Sequence, residues 1–108
     1  MITKEFVPRS FAVQDEEEII RFYERNSSQH IALNFINALE DAFSQLGRYP
    51  RMGSARPDYE LDLREIRSWT LKKFPHLIYY EIQSDHIELW RILHPKRDFA
   101  SAQKHQYP

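Results

Sequence analysis

The sequence predicts a single α+β domain in which a pair of helices covers one face of an antiparallel sheet. Three observations predict it. The chain has 108 residues, close to the commonest size of one domain. Its first half carries two helical patterns separated by a few polar residues, and its second half carries three short strand-like patterns. A helical hairpin has an apolar face that needs a broad surface to cover it, and a sheet is such a surface.

The N-terminal segment predicts a strand followed by the first helix. Residues 4–9 have the size and β-branching of a short strand, and Pro8 is tolerated near the end of an edge strand. Ser10 is the expected cap of a helix that runs to about Arg25. The acidic run at residues 15–18 lies in the first half of this helix, where the helix dipole favours carboxylates. We interpret it as a solvated helix face, with a partner or metal surface as the alternative. The apolar residues that fall on one face are Val13, Ile19, Ile20 and Tyr23.

The second helix has the clearest amphipathic pattern in the chain. Residues 26–28 are polar and supply capping side chains at its start. Gly47 suits the left-handed residue that follows a last helical turn, and Pro50 prevents the helix from continuing. The apolar residues that recur at steps of three and four are Ile31, Phe35, Ala38, Leu39, Ala42, Phe43 and Leu46.

Residues 48–62 show no period and predict an irregular connection, which is long for so small a domain. Three strands joined by short polar turns follow and predict an antiparallel meander, with the first strand pairing at its edge or in its middle. The strands are residues 66–71, 76–82 and 87–93. The large aromatic residues expected to pack under the helices, rather than to stack on bases, are Trp69, Tyr79 and Trp90. The ordered core then covers about residues 4–99 of the single domain 1–108, and residues 100–108 form a polar tail.

Composition excludes several classes of function. The absence of cysteine excludes a disulfide framework, a thiolate metal site and a cysteine nucleophile. No two histidines have the spacing of helical metal ligands, and the 2 glycines exclude a glycine-rich phosphate loop, so we expect neither a metal nor a cofactor. No apolar segment approaches the core of a signal peptide or the length of a membrane span, which predicts a cytoplasmic protein without a membrane partner.

Charge is unevenly distributed along the chain. Residues 1–46 carry four Lys or Arg and eight Asp or Glu, a net charge of −4, whereas residues 47–108 carry eleven and eight, a net charge of +3, which gives −1 overall. The second half suits an acidic or phosphate-rich partner, but it is far from the basic stripe that predicts direct, sequence-specific binding of nucleic acid. The last predicted strand ends in a basic cluster, which this strand delivers to the surface: His94, Lys96 and Arg97.

Several short sequence motifs between about residues 4 and 99 resemble those of a known family. They are Asp15 to Ile19, Ala38-Leu39-Glu40, Leu46 with Tyr49-Pro50 and Met52-Gly53, Leu63-Arg64-Glu65-Ile66, Leu77-Ile78-Tyr79-Tyr80, and Arg91-Ile92-Leu93-His94-Pro95-Lys96-Arg97-Asp98. The last motif, a strand end of Arg-Ile-Leu-His that runs into Arg-Asp, is the most specific. Together with the order of elements, these motifs resemble the ParE branch of the RelE/ParE toxins, the toxic halves of bacterial type II toxin–antitoxin pairs.

The resemblance implies a fold, a partner and a target. The fold is an N-terminal strand, a helical hairpin and a three-stranded antiparallel meander that forms one sheet packed on the helices. The partner is a cognate antitoxin whose flexible segment wraps the toxin. For the ParE branch the resemblance implies inhibition of DNA gyrase by binding, and for the RelE branch it implies ribosome-dependent cleavage of mRNA. These are different classes of function on one fold, so the fold alone does not choose between them.

The nuclease alternative requires a catalytic set. Cleavage of RNA by its own 2′-hydroxyl needs a group that takes this proton, a group that protonates the leaving oxygen, and cations that stabilise the charge on phosphorus. The RelE branch implies clustered lysines and arginines with a tyrosine or histidine near the C-terminus. The candidates here are Lys72, Lys73, Arg91, His94, Arg97, His105 and Tyr107, and the catalytic set expected for a nuclease is Arg91, Arg97, His105 and Tyr107. Because the basic residues are few and scattered, mRNA cleavage is the alternative function, and a non-toxic binding module of the same fold is the third.

A toxin that acts by binding needs a stable surface and no catalytic residue. We expect that surface at the end of the last strand, with two further arginines on an adjacent strand. The expected target-binding residues are Arg64, Arg67, Arg91, His94, Lys96 and Arg97. Removal of charge at Arg91 or Arg97 is expected to relieve toxicity without unfolding the protein. The antitoxin is expected to fill an apolar surface where the helices meet the sheet edge, with an amphipathic helix or an added strand.

Overall fold

Two helices and a five-stranded sheet form the main layers of the protein. The computed structural model describes residues 3–56 and 64–104. The elements in chain order are β1 (Glu5–Pro8), α1 (Ser10–Asn26), α2 (Gln29–Arg48), β2 (Ser54–Ala55), β3 (Arg67–Thr70), β4 (Leu77–Ile82), β5 (His86–Leu93) and α3 (Phe99–Lys104). The predicted order of strand, helical hairpin and antiparallel meander is confirmed.

The sheet has the strand order β1-β5-β4-β3-β2. The three strands of the meander pair antiparallel, as predicted, and β1 lies parallel to β5 at one edge of the sheet. The other edge is β2, a strand of 2 residues that the sequence analysis missed because it lies in the segment predicted as irregular. A 3-10 turn at Pro50–Met52 connects α2 to β2. Residues 57–62, the remainder of that segment, and Leu63 lie outside the described residues.

The helix ends follow from capping chemistry. Ser28 precedes α2, and its hydroxyl oxygen accepts a hydrogen bond from the backbone N–H of Ile31 at 3.1 Å, as the polar residues of the connection predicted. Ser10 does not cap α1. It is the first helical residue, and Arg9 occupies the cap position without a side-chain hydrogen bond.

Gly47 also has a different role from the predicted one. It lies inside α2 rather than after its last turn, and no glycine in the described part of the chain has a positive φ. Its backbone carbonyl accepts the N–H of Lys4 at 2.9 Å, and a Cβ at this position would lie 2.6 Å from the carbonyl oxygen of Lys4. The absence of a side chain therefore permits the close approach of the segment that leads into β1.

Apolar residues pack on both faces of the sheet. The helix-side core includes Ala12, Phe35, Leu39, Ala42, Leu46, Leu71, Ile78, Tyr80, Ile87, Leu89 and Ile92. Neighbouring strand residues face opposite sides, and a second cluster lies on the face that the hairpin leaves open. Its members are Ile66, Tyr79, Trp90, Leu93, Phe99 and Ala102. Trp69 packs against the helix-side core as expected, whereas Tyr79 and Trp90 belong to the second cluster and not to the layer under the helices.

The short helix α3 covers this second cluster. The ring of Phe99 stacks on Tyr79 with the ring centroids 4.7 Å apart, and Phe99 is fully buried. The carboxylate of Asp98 accepts the N–H of Ser101 at 3.0 Å and so caps the helix. The segment predicted as a polar tail therefore begins with a packed helix, and its last residues, 105–108, lie outside the described part of the chain. No helix among the described residues is long and apolar enough to cross a membrane.

Candidate functional site

Arg91, predicted to lie on an exposed surface at the strand end, is buried. Its side chain is 7% exposed, and its guanidinium forms a two-pronged ion pair with Asp15 of α1. Nε lies 2.7 Å from one carboxylate oxygen and Nη2 lies 2.8 Å from the other. Nη1 donates to the backbone carbonyl of Ala102 in α3 at 3.1 Å. Arg91 therefore joins α1, β5 and α3, and this structural role corrects its assignment to a target-binding surface.

Asp15 also differs from the solvated residue that the acidic run predicted. The residue is 5% exposed, and its Oδ2 accepts the backbone N–H of Ile92 at 2.9 Å. Pairing of β1 with β5 ends at Leu89, so this carboxylate takes the place of the missing edge strand. Its neighbour Glu16 is half-buried, and burial, followed by the negative charges of Glu17 and Glu40, raises the pKa of the Glu16 carboxyl.

A β-bulge sets the direction of the residues around Arg91. Tyr80 pairs with Leu89 whereas Tyr79 pairs with Arg91, so Trp90 is an extra residue in β5. The guanidinium carbon of Arg9 lies 3.9 Å from the centroid of the Trp90 ring, and Trp90 itself is 5% exposed. The indole is therefore enclosed by protein and cannot serve as a base-stacking platform, which agrees with the predicted packing role although not with the predicted face.

The residues after β5 form a compact turn at the surface. The Nδ1 of His94 accepts the backbone N–H of Lys96 at 3.2 Å, and the carbonyl of His94 accepts the N–H of Arg97 at 2.9 Å. His94 is half-buried, whereas Lys96 and Arg97 are exposed. Of the residues predicted to bind a target at the strand end, these two present their charge to solvent.

Arg64 and Arg67 do not lie beside this turn. Strand β4 separates β3 from β5, so the predicted adjacency of the strands was wrong. Arg64 is exposed and pairs with Glu81 at 3.0 Å. The Arg67 side chain is 12% exposed and donates to the carbonyl oxygens of Gly53 at 2.8 Å and Arg51 at 3.3 Å. Arg67 therefore stabilises the turn after α2, and the six predicted residues do not form one surface.

An open groove of about 1190 Å³ runs between α2 and the turn that joins β3 to β4. Its apolar lining includes Tyr23, Ile31, Ala38, Ala42, Trp69, Phe74 and Pro75. Its charged lining comprises Arg48, Lys72 and Lys73 with one acidic residue, Asp41. An apolar surface between helices and sheet was expected without its residues, because the walls of this groove are contributed by segments far apart in the chain.

The turn that forms one wall of the groove has an unusual backbone. Lys73 has a φ of 66°, in the left-handed region that residues other than glycine rarely adopt. The N–H of Leu71 donates to the carbonyl of His76 at 3.0 Å and closes the turn. Because Leu77 of β4 pairs with Leu93 of β5, this turn leaves the sheet at the same end as the basic turn after β5.

His76 lies between the groove and the basic turn. Its ring centroid is 5.4 Å from that of Phe35, 6.2 Å from that of Tyr23 and 5.9 Å from that of His94. Within the described part of the chain, its Nδ1 is buried without a hydrogen-bond partner. Burial, followed by the proximity of His94, lowers the pKa of His76 from its ordinary value of 6.5. His76 is therefore a neutral residue of an aromatic cluster at neutral pH.

The remaining predicted residues, His105 and Tyr107, lie outside the described residues. The nuclease alternative assigned them a catalytic role together with Arg91 and Arg97. Of this set, Arg97 is exposed and Arg91 is enclosed in its ion pair with Asp15.

Comparisons with known proteins place these features in context. A family model described as the ParE toxin of the type II toxin–antitoxin system parDE matches residues 9–99. Among solved structures, the chromosomal ParDE toxin–antitoxin system from P. aeruginosa contains a similar chain, with a TM-score of 0.67 and 19% sequence identity. The match covers 83% of this chain and 94% of that one, and it shows a shared fold. A comparison with curated proteins finds no match.

Proposed function

Because the chain belongs to the ParE toxin family of type II toxin–antitoxin systems, we propose that it inhibits DNA gyrase by binding and that a cognate antitoxin neutralises it. The proposed site of action is the cytoplasm, where bacterial DNA is supercoiled. The match over residues 9–99 carries the proposal, since it includes both the groove and the basic turn after β5.

The burial of Arg91 in an ion pair favours a toxin that acts by binding over a toxin that cleaves mRNA. A catalytic cation must reach the phosphate whose charge it stabilises. Arg91 is 5% exposed as a residue, and its donors are directed to Asp15 and Ala102. A nuclease mechanism on this fold would therefore have to proceed without one of its two expected arginines.

The groove supports the antitoxin as its occupant. Ala38 and Ala42 lie one helical turn apart in its lining, and such small side chains allow the backbone of a partner helix to approach closely. Among the residues that the structure describes, β2 pairs with β3 at Arg67 and Ser68 and not at Trp69 and Thr70, so that adjacent edge is positioned to accept an added strand. The cations in the lining suit a partner segment with carboxylates.

We assign gyrase binding to the exposed cations Lys96 and Arg97. They lie at the same end of the sheet as the turn that walls the groove, since Leu77 pairs with Leu93. An antitoxin seated against that turn lies at the same end of the sheet as these cations, and we infer that it hinders target binding there.

Pulse labelling after brief induction of the protein in bacteria tests the target. We expect DNA synthesis to fall before protein synthesis, together with a DNA-damage response. Early loss of protein synthesis with intact DNA synthesis would overturn the gyrase proposal in favour of mRNA cleavage. If neither synthesis falls, the chain is a binding module of the same fold.

A purified supercoiling assay tests the assigned surface. The wild-type protein is expected to inhibit gyrase, and the double variant Lys96→Ala/Arg97→Ala is expected to lose inhibition about tenfold or more while it keeps its fold. The matched control is Arg21→Ala/Arg25→Ala, which removes two exposed charges from α1. Equal inhibition by both double variants would reject the assignment of the surface but not of the target.

A further inference from the structure

A second, smaller hollow lies around the C-terminal end of α2. It has a volume of about 550 Å³, is open to solvent, and is bordered by the residue before β1, the end of β4 and the 3-10 turn that follows α2. Its lining residues are Lys4, Tyr49, Pro50, Arg51, Met52 and Ile82. Two large apolar residues of this lining are strongly exposed, Tyr49 at 52% and Met52 at 40%.

Hydrogen bonds from neighbouring strands fix the backbone of the turn that carries these residues. The hydroxyl of Tyr80 donates to the carbonyl of Pro50 at 2.6 Å and accepts the N–H of Gly53 at 3.0 Å. A Cβ at Gly53 would lie 2.1 Å from that hydroxyl oxygen, so only glycine allows the contact. With the two hydrogen bonds from Arg67 to Arg51 and Gly53, the backbone of the turn is fixed on both sides of Met52. The exposed apolar side chains are therefore presented by a rigid support, which lowers the entropic cost of binding to them.

The hollow adjoins the groove. Tyr49 lines both, and Arg48 lines the groove immediately before it. Both linings contain cations: Lys72, Lys73 and Arg48 in the groove, and Arg51 and Lys4 in the hollow. Asp41 is the acidic residue in the two linings. One chain that carries carboxylates and apolar side chains suits both ends of this surface.

We propose that the hollow is a second docking point for the antitoxin that occupies the groove. The inference rests on the proposed function. The antitoxin chain continues past Tyr49, places an apolar side chain against Met52 and Ile82, and directs a carboxylate towards Lys4 and Arg51. Because the two contacts are made by one chain, the second forms at a high effective concentration and tightens the complex.

Titration of the purified toxin with its cognate antitoxin tests this proposal. Met52→Asp places a carboxylate in the hollow, where it disfavours both the apolar contact and an acidic partner. We expect the Kd to rise about tenfold or more. The matched control is Val7→Asp, since Val7 is 44% exposed, close to the 40% of Met52, and lines neither surface. The control is expected to change the Kd less than about twofold. Arg51→Glu tests the same hollow if Met52→Asp does not fold.

A groove variant, Ala38→Glu, tests docking in the groove separately from docking in the hollow. If Ala38→Glu and Met52→Asp both weaken the complex and Val7→Asp does not, the two docking points are supported. If only Ala38→Glu weakens the complex, docking in the hollow is rejected and docking in the groove is retained. If neither variant weakens the complex, docking at both places is rejected.

Discussion

Arg91 and Arg97 lie six residues apart in one basic segment, yet the fold uses them in opposite ways. Arg91 is enclosed between α1 and α3 with its donors on Asp15 and Ala102, whereas Arg97 is exposed in the turn after β5. A buried ion pair holds the structure together because each partner satisfies the other's charge in a medium of low polarity. An exposed cation contributes little to stability and is available to a partner. The comparison shows that a basic cluster in a sequence can combine a structural residue with functional ones.

The largest expected effect comes from breaking the buried pair. Asp15→Ala removes the partner of Arg91 and the acceptor of the Ile92 N–H. We expect the free energy of unfolding to fall by about 3–5 kcal/mol, because the charge of Arg91 is left buried without the carboxylate that pairs with it. Urea denaturation measures the change, with Glu17→Ala, an exposed residue of the same helix, as a control that changes it by less than about 0.5 kcal/mol. Equal stability of the two variants would show that Arg91 reaches solvent and would remove the contrast with Arg97.

A double replacement sharpens the same prediction. Asp15→Leu/Arg91→Met removes both charges, so no uncompensated ion is left inside the protein. We expect this protein to be more stable than either single variant, although the N–H of Ile92 still loses its acceptor. A double variant that is as unstable as the sum of the single variants would mean that the two residues act independently.

An intermediate effect is expected at His76, which separates the groove from the basic turn. Its pKa is lowered in the folded protein by burial, followed by the proximity of His94, whereas the unfolded chain binds a proton near the ordinary value of 6.5. Between 6.5 and the lowered folded pKa the unfolded state binds more protons, so stability falls as the pH is reduced through this range. Each unit of pKa depression corresponds to about 1.4 kcal/mol of lost stability at low pH.

Denaturation at pH 7 and at lower pH measures this dependence. His76→Phe is expected to lose this part of the pH dependence, since an apolar ring replaces a titrating one among the aromatic residues. His30→Gln, at an exposed position of α2, serves as the control and is expected to keep it. If the wild-type protein gains stability relative to His76→Phe on acidification from pH 7 to pH 5.5, the predicted sign is contradicted; the difference between the two proteins is the measure because Glu16, whose pKa is raised, contributes with the opposite sign in both.

The smallest effect on stability is expected where the effect on function is largest. Arg97→Ala removes an exposed charge and is expected to change the free energy of unfolding by less than about 0.5 kcal/mol while it reduces growth arrest. Thermal unfolding and growth after induction measure the two properties on the same variant. Retained toxicity in a folded Arg97→Ala variant would mean that this exposed arginine has no part in the target surface.

The elements that could be predicted from the sequence are those whose determining signals are local. Helical periodicity and the serine before α2 predicted the hairpin, and the short polar turns predicted the meander, because these patterns depend on residues close together in the chain. Strand β2 was missed because its 2 residues have no detectable period. The role of Gly47 was missed because it depends on the approach of Lys4, more than forty positions away.

The candidate site was predicted less completely than the fold. The strand exit at Lys96 and Arg97 was predicted, and its exposure follows from its position after a buried strand. The groove was expected at the meeting of helices and sheet edge, but its lining combines α2 with the turn after β3, and no local pattern links them. The grouping of Arg64 and Arg67 with the strand end was wrong because strand order in a sheet depends on long-range pairing.

The sequence by itself determined the order of elements and the family, because both depend on residue identity and near-neighbour pattern. Only the tertiary structure decided which charges remain in water. In the sequence, Asp15 is one member of an acidic run that was predicted to be solvated, and Arg91 is one member of the basic segment at the end of the last predicted strand. They lie 76 positions apart, and folding brings them within 2.7 Å of each other. The energy of an ionised group depends on what surrounds it, and those surroundings are assembled from distant parts of the chain.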